Sequence, residues 1–361
     1  MWPAKRGRTA PELKLRHRAL SRRAASIAER IESVREAVMS RTRILVWVVS
    51  ASLGLLPMAV DAAKNIREFS VNATGGESPI DITSGPDGAL WFTIEFNGRI
   101  GRISTLGVIT DFPVPTANSE PLAITVGPDG ALWFTEAQAN KIGRITTAGA
   151  ITEFPVPTAA VFGPEGITTG PDGNLWFTKR EPAGIGRITT AGIVTEFGGV
   201  SAGSGPLDIT AGPDGALWFT EINGDRIGRI TTAGVVSEFP LPAGSNPHGI
   251  TVGGDGALWF TEADAGRIGR ITTSGTVTEF PAPTSLGNAR ITRGSGGNLW
   301  YASNQGAIVL VMTSNGAVTS TKLITTPPGQ PNGIAVGPDD RIWFTDLSTT
   351  NVIGRVRKPR P

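Results

Sequence analysis

PLAITVGPDGALWFTEAQANKIGRITTAGAITEFPVP, residues 121–157, is the stretch on which the fold turns. Ala123 to Val126 reads as a first short strand, and Gly127-Pro128-Asp129-Gly130 as a turn whose Pro fixes φ at its second position. Ala131 to Glu136 alternates large apolar with smaller or polar residues, the pattern of a strand between two packed layers. Lys141 to Thr146 is a third strand, and Thr147-Ala148-Gly149 turns the chain into a fourth, Ile151 to Val156. Four antiparallel strands in about 42 residues describe one blade of a β-propeller.

The same text returns along the chain. Trp91, Trp133, Trp176, Trp218, Trp259, Trp300 and Trp343 recur at spacings of 42, 43, 42, 41, 41 and 43. A β-helix would need far shorter repeats, and a helical solenoid a 3.6-residue period that is absent. The expectation is an all-β chain, a seven-bladed β-propeller of four-stranded blades over residues 63–361. Its repeated Trp, Phe and Ile should fill the layers between blades. The last repeat stops at Val356 without a fourth strand, whereas Ile66-Arg67-Glu68-Phe69 matches the fourth-strand text Ile151-Thr152-Glu153-Phe154. The N-terminal strand should therefore complete the last blade, closing the ring without a free sheet edge.

Composition removes several chemistries. The 361 residues include no Cys, which excludes disulfides, thiol nucleophiles and Cys-ligated zinc. Only His17 and His248 are present, too few for a multi-histidine metal site. The 47 Gly and 27 Pro are turn punctuation repeated blade after blade. Charge is unevenly placed: residues 1–62 hold 12 Lys/Arg against five Asp/Glu, and the remainder 21 against 26. Ile44 to Val60 is an apolar run behind Arg41 and Arg43, so residues 39–62 read as a signal peptide, with an uncleaved anchor as the alternative. Residues 1–38 form a basic leader, either upstream of a true start at Met39 or a cytoplasmic basic helix. The propeller itself is acidic, so no nucleic-acid partner is expected. Secreted or periplasmic location, a monomer, and no stable membrane insertion after signal removal complete the expectation.

In a ring of blades, equivalent positions gather around one end of the central channel, and variable residues there are candidate ligand contacts. At the second position of each Pro-x-x-Ile segment the ring reads Ile80, Leu122, Glu165, Leu207, His248, Ala289 and Asn332. One step before the Pro it reads Ser78, Glu120, Gly163, Gly205, Asn246, Gly287 and Gln330. His248 is the candidate base, being the propeller's single imidazole. Glu165, Asn246, Asn288 and Asn332 are candidate substrate contacts, with a small molecule or peptide at the channel mouth as the expected partner. The acidic residue after Trp-Phe-Thr (Glu136, Glu221, Glu262, Asp346) and the Arg of Ile-Gly-Arg-Ile repeat in most blades, which marks them as framework, paired or exposed.

The repeated GPDGALWFTE…IGRIT.AG.ITEFP.P closely resembles the virginiamycin B lyase family, over all seven repeats. The resemblance implies a seven-bladed propeller that linearises cyclic depsipeptide streptogramin B antibiotics by elimination at the ester, an antibiotic-resistance activity. It also implies Mg²⁺ held by carboxylates beside a His base, the metal drawing charge from the carbonyl while the base removes the adjacent proton. The family's catalytic text is Glu-Pro-His-Gly-Ile in the last blade, where this chain reads Gln330-Pro331-Asn332-Gly333-Ile334. Leu347 falls at a second metal position beside Asp346, and Ala289 replaces a substrate-binding His. Asn246-Pro247-His248-Gly249-Ile250 keeps the His without the Glu; Glu120-Pro121-Leu122 keeps the Glu without the His. The metal candidates are therefore Glu120, Gln330 and Asp346. Two functions stand: a lyase-like enzyme with His248 as base, or a non-catalytic extracytoplasmic propeller that binds a ligand or protein.

Overall fold

A computed structural model describes residues 66–71, 78–282, 286–305, 307–314, 317–323, 329–347 and 351–356. The leader, the signal segment and His17 lie outside the described residues. The described chain is all β. After β1 (Ile66–Ser70), sheets form in chain order from β2 (Pro79–Ser84), β3 (Ala89–Ile94), β4 (Arg99–Ser104) and β5 (Ile109–Pro113). Next come β6 (Pro121–Val126), β7 (Leu132–Glu136), β8 (Lys141–Ile145) and β9 (Ile151–Pro155), then β10 (Phe162–Thr169), β11 (Leu175–Glu181), β12 (Gly184–Ile188) and β13 (Val194–Phe197). A further sheet holds β14 (Pro206–Ala211), β15 (Ala216–Glu221), β16 (Arg226–Thr231) and β17 (Val236–Pro240). It is followed by β18 (Pro247–Val252), β19 (Leu258–Glu262), β20 (Arg267–Ile271) and β21 (Val277–Pro281). The next is β22 (Arg290–Arg293), β23 (Leu299–Ser303), β24 (Ala307–Ser314) and β25 (Ala317–Leu323). Finally β26 (Pro331–Val336), β27 (Ile342–Asp346) and β28 (Val352–Val356) take β1 as their fourth strand, with Phe69 opposite Ile353. This is a propeller of four-stranded blades.

Six of the sheets share one blade plan. Trp133 is fully buried and stacks on Phe154 of the outer strand, ring centroids 5.6 Å apart. Its indole N–H donates to Asp129 Oδ1 at 3.0 Å, and Asp129 Oδ2 accepts from Arg144 Nε at 2.6 Å. The turn aspartate is thus a clamp: burial opposes its charge, but Trp133, Arg144 and the Ala131 amide outweigh that and hold it below the usual carboxylate range. Equivalent clamps join Trp91, Trp176, Trp218, Trp259 and Trp343 to Asp87, Asp172, Asp214, Asp255 and Asp339. The Arg of Ile-Gly-Arg-Ile is framework, as the repetition implied. The preceding glycine is required by packing, because a Cβ on Gly143 would sit 2.1 Å from the Phe134 ring. In the last sheet the Phe comes from β1, with Phe69 stacked on Trp343 at 5.4 Å.

The sheet β22–β25 departs from this plan. Its turn is Gly294-Ser295-Gly296-Gly297, without the aspartate, and Leu310 stands opposite Trp300 where the other sheets place Arg. Lacking the clamp, Trp300 is only half-buried.

Each Trp-Phe-Thr threonine joins neighbouring blades. Thr220 Oγ1 accepts from the Asp208 amide at 3.1 Å and donates to the His248 carbonyl at 2.8 Å, in the next inner strand. The same two bonds recur at Thr93, Thr135, Thr178, Thr261 and Thr345. This corrects the expected first strand: β6 begins at Pro121 rather than Ala123, with a bulge between Pro121 and Ile124 where Thr135 takes the amide that would otherwise enter the ladder. Ala302 occupies this position in β23. Thr220→Val, which keeps shape but strands one donor and one acceptor, should destabilise the fold by about 2 kcal/mol. A shift of the urea midpoint with unchanged slope checks this; an unaltered midpoint contradicts it.

Of the two readings open for the recurring acids, paired or exposed, the structure takes the first. Glu136, Glu221 and Glu262 are wholly buried, not exposed, and face Glu153, Glu238 and Glu279 of their outer strands. In β11 the position is Lys179, which bonds directly to Glu196.

Candidate functional site

The inner strands β2, β6, β10, β14, β18, β22 and β26 carry the channel-end residues. The residue before each Pro turns its carbonyl toward the strand that leaves the channel. Glu120 O accepts from the Ala137 amide at 3.0 Å and Asn246 O from the Ala263 amide at 3.1 Å. This turn places Glu120 and Asn246 at φ +50° and +47°, the left-handed region. Asn246 is fixed further, its amide N–H donating to Asp225 Oδ1 at 2.8 Å and its Nδ2 to Asp264 Oδ2 at 3.1 Å.

A pocket of about 380 Å³ opens at this end, lined by Arg180, Leu207, Ile222, Asn223, Asn246, His248, Asn288, Ala289, Arg290 and Asn332. It collects four of the candidates named from sequence: His248, Asn246, Asn288 and Asn332. Glu165 stands beside it, its Oε1 3.6 Å from Arg180 Nη1. Glu120, Gln330 and Asp346 do not line it. Gln330 is exposed, and its amide N–H donates to Oδ1 of the buried Asp346 at 2.9 Å. Asn332 Nδ2 donates to Ile80 O at 3.3 Å, across to β2.

His248 is half-buried at the start of β18. Burial, reinforced by the positive charges of Arg290 and Arg180, pushes its pKa down to about 4. The imidazole is therefore neutral at pH 7. The acids on the other side of the channel behave oppositely: burial raises Glu165 against the pull of Arg180 and Arg290, and burial plus Glu120 and Glu165 raises Glu95.

The third position of the inner strands was missed from sequence. It holds Asp81, Asp208 and Arg290 where other blades have Ala123, Gly166, Gly249 and Gly333. Arg290 Nη1 lies 3.1 Å from Asp208 Oδ1. Asp208 Oδ2 accepts from the Ile250 amide at 2.9 Å, and Asp81 Oδ2 from the Ile124 amide at 3.0 Å. Burial raises Asp81, and Arg290 partly offsets it. The signal was available: a charge stands out at a position otherwise filled by Gly or Ala, where a side chain meets the next inner strand.

The family model for the virginiamycin B lyase family matches residues 33–245 and 162–359. The chain belongs to the virginiamycin B lyase family. A curated virginiamycin B lyase from Saccharopolyspora erythraea is 45% identical over 53 residues, 15% of this chain and 17% of that protein, so the matched stretch spans about a sixth of the relative. A streptogramin B lyase structure is similar at 37% identity and a TM-score of 0.74, over 82% of this chain and 99% of that one. A catalytically inactive virginiamycin B lyase variant from Staphylococcus aureus with quinupristin gives 39%, 81%, 99% and 0.74 on the same measures. The family scaffold is thus present over nearly the whole described chain.

Proposed function

We propose that this virginiamycin B lyase-family propeller binds a small molecule or peptide in the His248 pocket and does not open streptogramin B by the magnesium-dependent elimination that the resemblance implies. The observation that carries this reading is the pocket lining around His248: it holds two guanidinium groups, Arg180 and Arg290, and no carboxylate, the charge of Asp264 reaching the imidazole from outside the lining. A divalent cation gains nothing from cationic neighbours. Glu120 on the second blade and Gln330 with Asp346 on the last one are not gathered around the imidazole, and Asp346 already accepts from the Gln330 backbone. The donor set does not fit magnesium. A base whose pKa is about 4 is also poorly matched to removing a carbon-bound proton near neutral pH.

The ring assignment belongs to the same proposal. The sheets are read as seven blades of one closed ring, completed by β1. Supporting this, β1 pairs with β28, Thr345 Oγ1 donates to Ile80 O at 2.8 Å, and Arg355 Nη1 donates to Thr105 O at 2.7 Å, all joining the last repeat to the first. Cleavage of the 39–62 signal, a secreted or periplasmic monomer, and residues 1–38 lying upstream of the true start remain part of the reading on the sequence argument alone. Among the described residues no helix is long and apolar enough to cross a membrane.

The full chain incubated with quinupristin and Mg²⁺, with and without chelator, should leave the antibiotic cyclic by chromatography and mass spectrometry. A linear product of unchanged mass overturns the reading in favour of a lyase with His248 as base. A product heavier by one water overturns it in favour of hydrolysis.

A further inference from the structure

We propose that the His248 pocket recognises an organic monocarboxylate about the size of a dipeptide or a single sugar acid, with Arg180 as the residue that holds the carboxylate. The inference rests on the pocket being the ligand site. Its lining contains Arg180 and Arg290 and no Asp or Glu. The two arginines are not equivalent. Arg290 is committed, its Nη1 at 3.1 Å from Asp208 with Asp81 also facing it, so its charge is largely matched inside the channel.

Arg180 is the more open of the two. Its side chain is 35% exposed, it lies over the Phe162 ring at 5.2 Å, and Glu165 approaches only to 3.6 Å. Burial raises the pKa of Glu165 against the pull of Arg180 and Arg290. Beyond that long contact Arg180 keeps N–H donors for a ligand, in a planar fork suited to a planar carboxylate. Neutral His248 and the amides of Asn223, Asn246, Asn288 and Asn332 can hydrogen-bond peptide groups or hydroxyls beside the carboxylate, which both candidate sources carry. The volume, about 380 Å³, lies near the lower end of small-molecule sites, roughly 300–1,000 Å³.

Calorimetric titration of the full chain tests the proposal with two matched pairs. One is N-acetyl-glycyl-alanine against its C-terminal amide; the other is glucuronate against glucose. At least one acid should bind tenfold or more tightly than its neutral partner, and the pair that shows the preference identifies the source. Arg180→Gln should abolish the preference, Arg180→Lys should retain part of it, and both variants should unfold at the parental temperature. Equal binding of acid and neutral forms, binding of none of the four probes, or a preference that survives Arg180→Gln overturns the proposal. Equal binding would still leave a ligand site at His248, whereas opening of quinupristin would fell the functional reading independently.

Discussion

Glu136→Gln makes the protein more stable than its parent at pH 8.5, by about 2–4 kcal/mol, and less pH-sensitive. Burial first, and the Glu153 carboxylate second, raise the pKa of Glu136 to about 8. Glu221 and Glu262 are raised to about 7 for the same reasons, with Glu238 and Glu279 as neighbours. Neither oxygen of Glu136 finds a hydrogen-bond partner of good geometry, and the Lys141 charge and Ser119 hydroxyl only partly offset the rise. A folded pKa above the unfolded one means that the folded state binds more protons, so stability is full below the unfolded value near 4.5 and falls as pH climbs toward the folded value. The slope is about 1.4 kcal/mol per pH unit for each such group. His248 acts in the opposite direction, its lowered pKa weakening the fold only as pH drops below its ordinary value near 6.5. Thermal unfolding between pH 6.5 and 8.5 therefore isolates the glutamates. The parental midpoint should fall across that window, and Glu136→Gln should flatten the part that extends to pH 8. A parental profile that is level or rising there contradicts the burial argument.

Arg290→Met carries the second large effect, a destabilisation of about 3–5 kcal/mol. Removing one member of a mostly buried pair leaves the partner charge uncompensated, which costs more than the pair contributed. Asp208 would lose its cation at 3.1 Å, and Asp81, already raised by burial, would be raised further. The deficit should grow as pH rises above the ordinary carboxylate range, since a raised acid destabilises the fold only where the unfolded chain is ionised. Adding Asp208→Leu to Arg290→Met should recover part of the loss, a non-additivity expected of contacting residues. Urea denaturation of the parent, both single variants and the double variant measures the coupling. A single variant as stable as the parent would show that the channel charges are solvated rather than paired.

Much of the blade was legible because its physics is local. The Gly-Pro-Asp-Gly turn, the alternation in Leu132 to Glu136 and the return strand Ile151–Pro155 lie within one repeat, and their pattern is copied along the chain. The bulge at Pro121–Ile124 was not legible, since it depends on a threonine hydroxyl reaching sideways to the next blade. Burial of Glu136 was likewise hidden. A Glu at a strand end reads as exposed until a second Glu on the outer strand and the adjoining blade close over it.

The site divides in the same way. His248, Asn246, Asn288 and Asn332 could be named because they vary within a constant Pro-x-x-Ile frame. Arg180 could not, because it leaves β11 from a different strand end. Arg290, Asp208 and Asp81 could have been found by extending the same comparison one residue further.

What the amino-acid text determined by itself was the repeated unit: its strands, its turns and the membership of a family scaffold. Those depend on residues within a few dozen positions of one another. Only the tertiary structure decided which charges face each other. Arg290 and Asp208 lie 82 positions apart, and Arg180 and His248 belong to different blades. The propeller brings such residues to one pocket, and there the distance between charges, not their order in the chain, sets whether the pocket attracts a cation or an anion.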